Sequence, residues 1–428
     1  MILNLVKYYL SLNYWYSASP DSIKRMQARK FRKIFEFARQ NSKFYREFYG
    51  DHGVLDLKIE NLEDIKKVPV IDKKILRGNS TREIMTCNID DNINIHSTSG
   101  STGEPFKVAF NKFEDYTAHI RVFWTLRKTG YHINDKIIMV ARYNREDHFD
   151  IEKDISLLKK FQEKLHLFQR EIISCYEPID EIISGLMNSN ARILWSTPAT
   201  MQVVADRLRE KQTRLGFQTV VLTGEPISQS QKMLFTTYLG NYLISFYGAM
   251  ESPCLGVDLG LTDQFTIFPS SNLFQFENIT QTENGEKTGT VIISNLINKT
   301  MPIIRYNLND FAVMDESPDF GIKYLNRIIG RQDDILELKN GMKLTELQTY
   351  EMFMDFHECE TFKFIQKPDK TLVLQLIAAP GLSKSDVEKL AIQRWKKRFG
   401  DHPIEIEFVD HFEADQYIKK FKTMEKQN

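Results

Sequence analysis

Four short apolar runs between residues 137 and 247 set the strongest limit on how this chain can fold. They are Ile137-Ile138-Met139-Val140, Ile193-Leu194-Trp195, Val220-Val221-Leu222 and Ile244-Ser245-Phe246-Tyr247. Each suits a strand covered on both faces. Helix-like stretches at 151–169, 199–211 and 228–238 separate them. This alternation predicts an α/β layered architecture.

The flanking segments have other textures. Residues 21–50 read as one helix: Ile23 and Met26 lead into Phe31, Ile34, Phe35 and Ala38 at helical spacing. Ile93-Asn94-Ile95-His96 is strand-like. From 264 to 315 the pattern is β, with turn signals at Asn284-Gly285 and Lys287-Thr288-Gly289 before Thr290-Val291-Ile292-Ile293. After Arg331 it changes again, to a strand over Thr371–Leu376 and a helix over 383–398, with Pro368 and Pro380 in loops. A chain of 428 residues is too long for one core. The boundary is expected near Asp333, giving units of 1–332 and 333–428.

Charge and cysteine content exclude several classes. Lys+Arg and Asp+Glu are both 57, so the basic excess of a nucleic-acid binder is missing. Cys87, Cys175, Cys254 and Cys359 are scattered, which argues against a zinc site or a disulfide framework and suits a reducing cytoplasm. No run of about 20 apolar residues could span a bilayer. Residues 1–20 lack the layout of a signal peptide. They are read as a packed helix, with a peripheral membrane contact through Tyr8, Leu10 and Trp15 as the alternative.

The strongest local signal is His96-Ser97-Thr98-Ser99-Gly100-Ser101-Thr102-Gly103-Glu104-Pro105. Glycines let backbone N–H groups approach an anion, and hydroxyls add donors. Lys107 could add charge. The Gly-Lys-[Ser/Thr] ending of a Walker A loop is missing. So is the Gly-x-Ser-x-Gly elbow of a serine nucleophile. Taken alone, the stretch fits a Ser/Gly surface loop equally well.

Three further stretches follow in order: Ser245-Phe246-Tyr247-Gly248-Ala249-Met250-Glu251, Pro302-Ile303-Ile304-Arg305-Tyr306-Asn307-Leu308-Asn309-Asp310, and Gly330-Arg331-Gln332-Asp333-Asp334 with Lys339-Asn340-Gly341 beyond. With the Ser/Gly loop, this ordered set resembles the adenylate-forming superfamily of acyl-CoA synthetases. Within it, the chain is similar to the phenylacetate–CoA ligase-like branch, which includes capsule-biosynthesis relatives. Asn41-Ser42-Lys43-Phe44-Tyr45-Arg46 and Gly285-Glu286-Lys287-Thr288-Gly289-Thr290, running into Ser294-Asn295-Leu296, resemble further elements of that branch. The resemblance runs from about residue 30 to the end.

The resemblance implies a large layered α/β N-terminal domain with a β-subdomain, carrying ATP and acid, and a small α+β C-terminal lid. It implies that Ser97, Thr98, Ser99, Gly100, Ser101, Thr102 and Gly103 hold the ATP phosphates, with Thr102 taking part in catalysis. Gly224, Glu225 and Pro226, after Thr223, would line the adenine and acyl sites. Tyr247 would stack on adenine with Gly248 beside it. Glu251 would bind Mg²⁺, a hard cation suited to carboxylate oxygen. Asp310 would accept from the ribose hydroxyls. Arg331 would sit near ribose or phosphate, and Asp333 would be the hinge of the lid.

The family's catalytic lysine lies in a Gly-Lys-Phe-like element. Lys420, in Lys419-Lys420-Phe421, is the match, with Lys422 competing. Lys419 replaces the glycine, and Asn309 replaces the Gly before Asp310. The implied reaction converts an acid and ATP to acyl-AMP and pyrophosphate, then transfers the acyl group to CoA, an amine or a separate carrier protein. The alternative is a non-catalytic nucleotide- or acyl-binding protein on the same scaffold. The acid pocket is expected between 191 and 256, near Trp195, Ser196, Thr197, Pro198 and Ala249-Met250, with Arg142 and His148 as polar candidates. A homodimer is compatible with the resemblance.

Overall fold

The computed structural model describes residues 1–90, 92–97, 106–141, 169–227, 229–281, 286–314, 320–331, 335–339, 341–344, 346–353, 356, 358–379, 381–410 and 424–427. Helices α1 (Ile2–Ser17), α2 (Pro20–Asn41), α3 (Lys43–Asp51), α4 (Lys73–Arg77) and α5 (Thr81–Ile84) come first. Strands β1 (Ile93–Ser97) and β2 (Lys107–Asn111) pair antiparallel on either side of the Ser/Gly loop. Then follow α6 (Lys112–Lys128), β3 (Ile137–Ala141), β4 (Arg170–Ser174), α7 (Ile179–Asn188), β5 (Ile193–Ser196), α8 (Pro198–Glu210), β6 (Phe217–Thr223), α9 (Gln229–Tyr238) and β7 (Gly240–Ala249).

The β-rich part comprises β8 (Ser252–Leu259), β9 (Gln264–Ile267), β10 (Asn272–Gln281), β11 (Lys287–Asn295), β12 (Tyr306–Val313), β13 (Tyr324–Asn326) and β14 (Ile328–Arg331). The C-terminal part holds β15 (Leu336–Glu337), β16 (Lys343–Leu344), α10 (Glu346–Phe353), β17 (Cys359–Gln366), β18 (Leu372–Ala378), α11 (Lys384–Phe399), β19 (Glu405–Phe408) and β20 (Met424–Lys426).

The large sheet has the order β13-β9-β8-β7-β6-β5-β3-β4. Its strands from β4 to β7 are parallel, and β8, β9 and β13 join antiparallel. The four apolar runs are the interior strands β3, β5, β6 and β7. Pleating sends alternate side chains to opposite faces. Val220 and Leu222 enter a core with Met201, Val204 and Leu208 of α8 and Phe235 of α9. Val221 enters the core on the other side, with Leu12 of α1 and Trp124 of α6. Helices therefore cover both faces, which is why these strands carry no polar face.

The expected single helix over 21–50 is two. Ser42 is extended at φ −106° and ψ 130°, so α2 ends there. Its hydroxyl accepts from Tyr45 N at 3.4 Å, starting α3, and donates to Glu83 O at 3.0 Å. Capping outweighs the continuing apolar period because a serine side chain competes with helical hydrogen bonding. Tyr45 OH then donates to Pro302 O at 2.7 Å, tying α3 to the segment entering β12.

A second sheet, β10-β11-β12-β14, is antiparallel, and its inner face packs under α2 and α3. The third, β19-β18-β17-β20, forms a separate core with α10 and α11 around Phe364, Leu374 and Trp395. Among the described residues no helix is long and apolar enough to cross a membrane. Residues 1–20 form a packed helix, with Leu12 buried. Tyr8 and Trp15 lean toward the body, so the trio of the alternative reading, Tyr8, Leu10 and Trp15, does not share one outer face.

Candidate active site

In an open α/β sheet, ligands bind beyond the carboxyl ends of the parallel strands. Here β7 ends in Tyr247-Gly248-Ala249 and turns through Glu251 into β8. Gly248 is required at this turn: a Cβ there would lie 2.9 Å from Cys254 N. β12 of the second sheet comes alongside, and two tyrosine–carboxylate bonds join the two sheets. Tyr247 OH donates to Asp310 Oδ2 at 2.6 Å. Tyr306 OH, from β12, donates to Glu251 Oε1 at 2.7 Å. Each sheet gives one tyrosine and receives one, so each carboxylate is held to the opposite sheet.

Burial makes these bonds strong, because the low local dielectric favours charge-assisted pairing. Glu251 is 6% exposed and Tyr247 8%. Burial pushes both phenols well above their ordinary range, and the adjacent carboxylates push further. Both tyrosines are therefore fixed donors at neutral pH.

Cations complete the site. Arg331 of β14 is the cross-strand partner of Asp310. Lys73, the first residue of α4, carries a pKa lowered chiefly by burial; Glu251 acts against that, and Arg77 and Arg331 add to it. Its position follows from a short bridge: Ile71 N donates to Arg305 O at 2.9 Å, and Asn307 N donates to Ile71 O at 2.8 Å. That bridge sets Asp72 and Lys73 beside Tyr306. Glu251 and Asp310, two phenols and the basic residues Lys73 and Arg331 thus come together where the two sheets meet. Such a set suits a polyanion carried with a cation.

The replacement of Gly by Asn309 is accommodated. Asn309 has φ 62°, and its N–H donates to Asn307 Oδ1 at 2.7 Å. Asparagine enters the left-handed region more readily than most residues. Gly224, after β6, has φ +89°, and a Cβ there would meet nothing within 4 Å, so the demand is conformational rather than steric. Glu225 Oε2 accepts from Ala199 N at 2.9 Å, joining this loop to the start of α8, where a carboxylate is favoured. Pro226 follows, half-buried. Trp195 stacks on Phe246 at 5.4 Å and 11°. Met250 packs on the core under the second sheet.

Among the expected site residues, the structure brings together Tyr247, Gly248, Glu251, Asp310 and Arg331. Ser97 ends β1, paired with Lys107. Thr98, Ser99, Gly100, Ser101, Thr102 and Gly103 lie outside the described residues, as do Arg142, His148, Asp333, Lys420 and Lys422. Lys73 and Tyr306 carried no assignment from sequence. Lys73 sits among ordinary lysines at 66, 67 and 74, and nothing local sets it apart; Tyr306 lay inside a quoted motif.

Glu251 offers carboxylate oxygen to a Mg²⁺ ion. Oε1 is engaged by Tyr306, and Oε2 accepts no hydrogen bond among the described residues. Those residues contain no cluster of three or more His, Cys, Asp or Glu side chains fit for a metal. Mg²⁺ characteristically takes one or two carboxylates and completes its shell with water and substrate phosphates, so the residues fit it.

No family model matches the chain. It is 24% identical over 359 residues to the phenylacetate–coenzyme A ligase of Escherichia coli K12, spanning 79% of this chain and 78% of that one. It is 22% identical over 437 aligned positions to protein CapK of Staphylococcus aureus, spanning 92% and 87%. Its fold matches 2-hydroxyisobutyryl-CoA ligase in the postadenylation state with a TM-score of 0.69 at 15% identity, covering 90% of this chain and 85% of that one. Against the same ligase in the thioesterification state the score is 0.57 at 16% identity, covering 94% and 89%. The chain therefore has the fold of the adenylate-forming CoA ligases and resembles, over most of its length, their phenylacetate–CoA ligase branch, CapK included.

Proposed function

We propose that this protein activates a carboxylic acid with ATP, forming acyl-AMP and pyrophosphate, and then passes the acyl group to an acceptor. The observation that carries this is the pair of tyrosine–carboxylate bonds, one buried and one part-buried, that hold Asp310 and Glu251 beside Arg331 and Lys73 where the two sheets meet. In the first step a carboxylate oxygen of the acid bonds to the α-phosphorus of ATP. The bond from that phosphorus to the bridging oxygen breaks, and pyrophosphate leaves with the electron pair. Two anions must approach one another, so the site has to neutralise charge rather than supply a nucleophile.

Asp310, held by Tyr247, is the acceptor for the ribose hydroxyls. Arg331 and Lys73 supply positive charge for phosphate oxygens. Tyr247 borders the adenine position, with Gly248 leaving room beside it. Glu251 would hold Mg²⁺, which supplies charge neutralisation on the phosphates. Ser97 to Gly103 form the phosphate loop, Thr102 included, and Lys420 is the catalytic lysine of the C-terminal unit. In the second step the acceptor attacks the acyl carbon and AMP leaves. CoA is the acceptor in the relatives' names, and it is the acceptor proposed here. The higher TM-score against the postadenylation state supports a C-terminal unit posed for the first step, with Asp333 as the hinge.

Acid-dependent ATP–pyrophosphate exchange tests this, over aryl, fatty, hydroxy and amino acids. Exchange with one acid class that Glu251→Ala abolishes is the expected result. Exchange untouched by Glu251→Ala removes Glu251 from the site. ATP binding without exchange for any acid favours the non-catalytic scaffold. Lys420→Ala should lose adenylate formation and keep ATP binding.

A further inference from the structure

α1 is apolar on two sides, and only one side is used within the molecule. Tyr8 OH lies 2.6 Å from Ser271 Oγ and accepts from Arg121 Nη1 at 2.8 Å. Trp124 Nε1 donates to Asn13 Oδ1 at 2.8 Å. Arg121 is itself buried and also donates to Cys254 O and Pro253 O. These bonds fix the rotation of the helix about its axis. The outward face is then Leu3, Val6, Leu10 and Tyr14, which are 65%, 49%, 60% and 61% exposed.

A solvated helix face ordinarily carries charge. This one has Lys7 at its edge and no carboxylate, because no acidic residue precedes Asp21. Lys128, at the end of α6, lies over the Tyr16 and Trp124 rings on the inner flank of α1, so Lys7 is the cation of the outward face.

We propose that this face of α1 docks on an anionic lipid surface. Lys7, with no carboxylate on the helix, complements a negatively charged headgroup layer. Tyr14 has the apolar body and polar tip that suit the interface. A second copy of the chain fits less well. A helix of 16 residues is about 24 Å long, and one of its sides falls short of the roughly 800 Å² per partner that a stable protein interface buries. Lipid sets no such minimum, since each inserted side chain contributes separately. The helix lies flat on the membrane, and its attachment is reversible.

Flotation of the full chain with vesicles tests the proposal. Vesicles of phosphatidylcholine alone are compared with vesicles also containing phosphatidylglycerol, at low salt and at about 0.5 M salt. Wild type should float with the anionic vesicles, less at high salt and less on neutral ones. Leu3→Glu/Leu10→Glu should lower the bound ratio by about tenfold or more, with an unchanged melting midpoint and unchanged pyrophosphate exchange. Lys7→Glu should weaken anionic binding alone. Wild type that floats no better than the double variant overturns the proposal. So does a double variant that dissociates a dimer in light scattering while floating normally.

Discussion

The crevice between the two larger sheets and the face of the third sheet both pair side chains of opposite polarity, to opposite effect. Where the two larger sheets meet, Tyr306–Glu251 is buried, Tyr247–Asp310 is part-buried, and both cross from sheet to sheet. Around the third sheet, Lys367–Glu405 at 2.6 Å and Lys370–Glu337 at 3.1 Å, which joins the β17–β18 turn to β15, stand in solvent. Water screens the exposed pairs and the entropy of two long side chains offsets them. The buried bonds have no such competitor, and losing one partner strands the other. Position, not the number of bonds, decides which pairs hold a geometry that chemistry requires.

Asp310→Ala should have the largest effect. It leaves the buried Tyr247 hydroxyl without its acceptor, lowering stability by about 1–3 kcal/mol in denaturant unfolding. Exchange should fall by roughly 10²–10³, the scale of a lost electrostatic partner at a reacting centre. Adding Tyr247→Phe should recover stability and leave exchange low. Recovery of both would mean that the bond is only architectural. Tyr306→Phe comes next. It keeps the ring and frees Glu251, so Mg²⁺ affinity measured by calorimetry should weaken by about 10–100-fold.

A buried cation gives a smaller effect with a definite sign. Lys30 donates to Ser270 O at 2.5 Å, and burial lowers its pKa to about 8. The unfolded chain keeps that proton to a higher pH. Stability should therefore rise as pH climbs from about 8 toward 10.5, by at most about 3 kcal/mol. Lys30→Met should flatten this segment of the pH profile. The smallest effect belongs to Lys367→Ala, which should leave the unfolding midpoint unchanged within error. A clear loss there would break the contrast between buried and exposed pairs.

The interior strands were legible because burial on both faces leaves only apolar residues. Ile137, Leu194, Val220 and Ile244 all fall on strands of the large sheet. The break at Ser42 was missed because the apolar period continues across it, while the capping bond depends on one hydroxyl. Tyr247, Glu251, Asp310 and Arg331 were singled out through motif order. Their pairing was not legible: Tyr247 and Asp310 are 63 positions apart and Glu251 and Tyr306 are 55 apart, on different sheets, and no local period reports such a contact. Lys73 was hidden for the same reason, since only the bridge at Ile71 brings it to the crevice. Asn309 also changes meaning once its φ is known: it stands in for the glycine that the resemblance implies, in the left-handed conformation that glycine would adopt.

The third sheet closes on side chains of its own, from Leu336 to Met424, none of which belongs to the cores of the two larger sheets. Each part thus has its own cooperative unit, and the melting of one need not carry the other with it. A calorimetric scan should resolve more than one transition, with midpoints that are compared part by part. An adenylate that touches both parts would draw the transitions together, making their separation a direct gauge of occupancy.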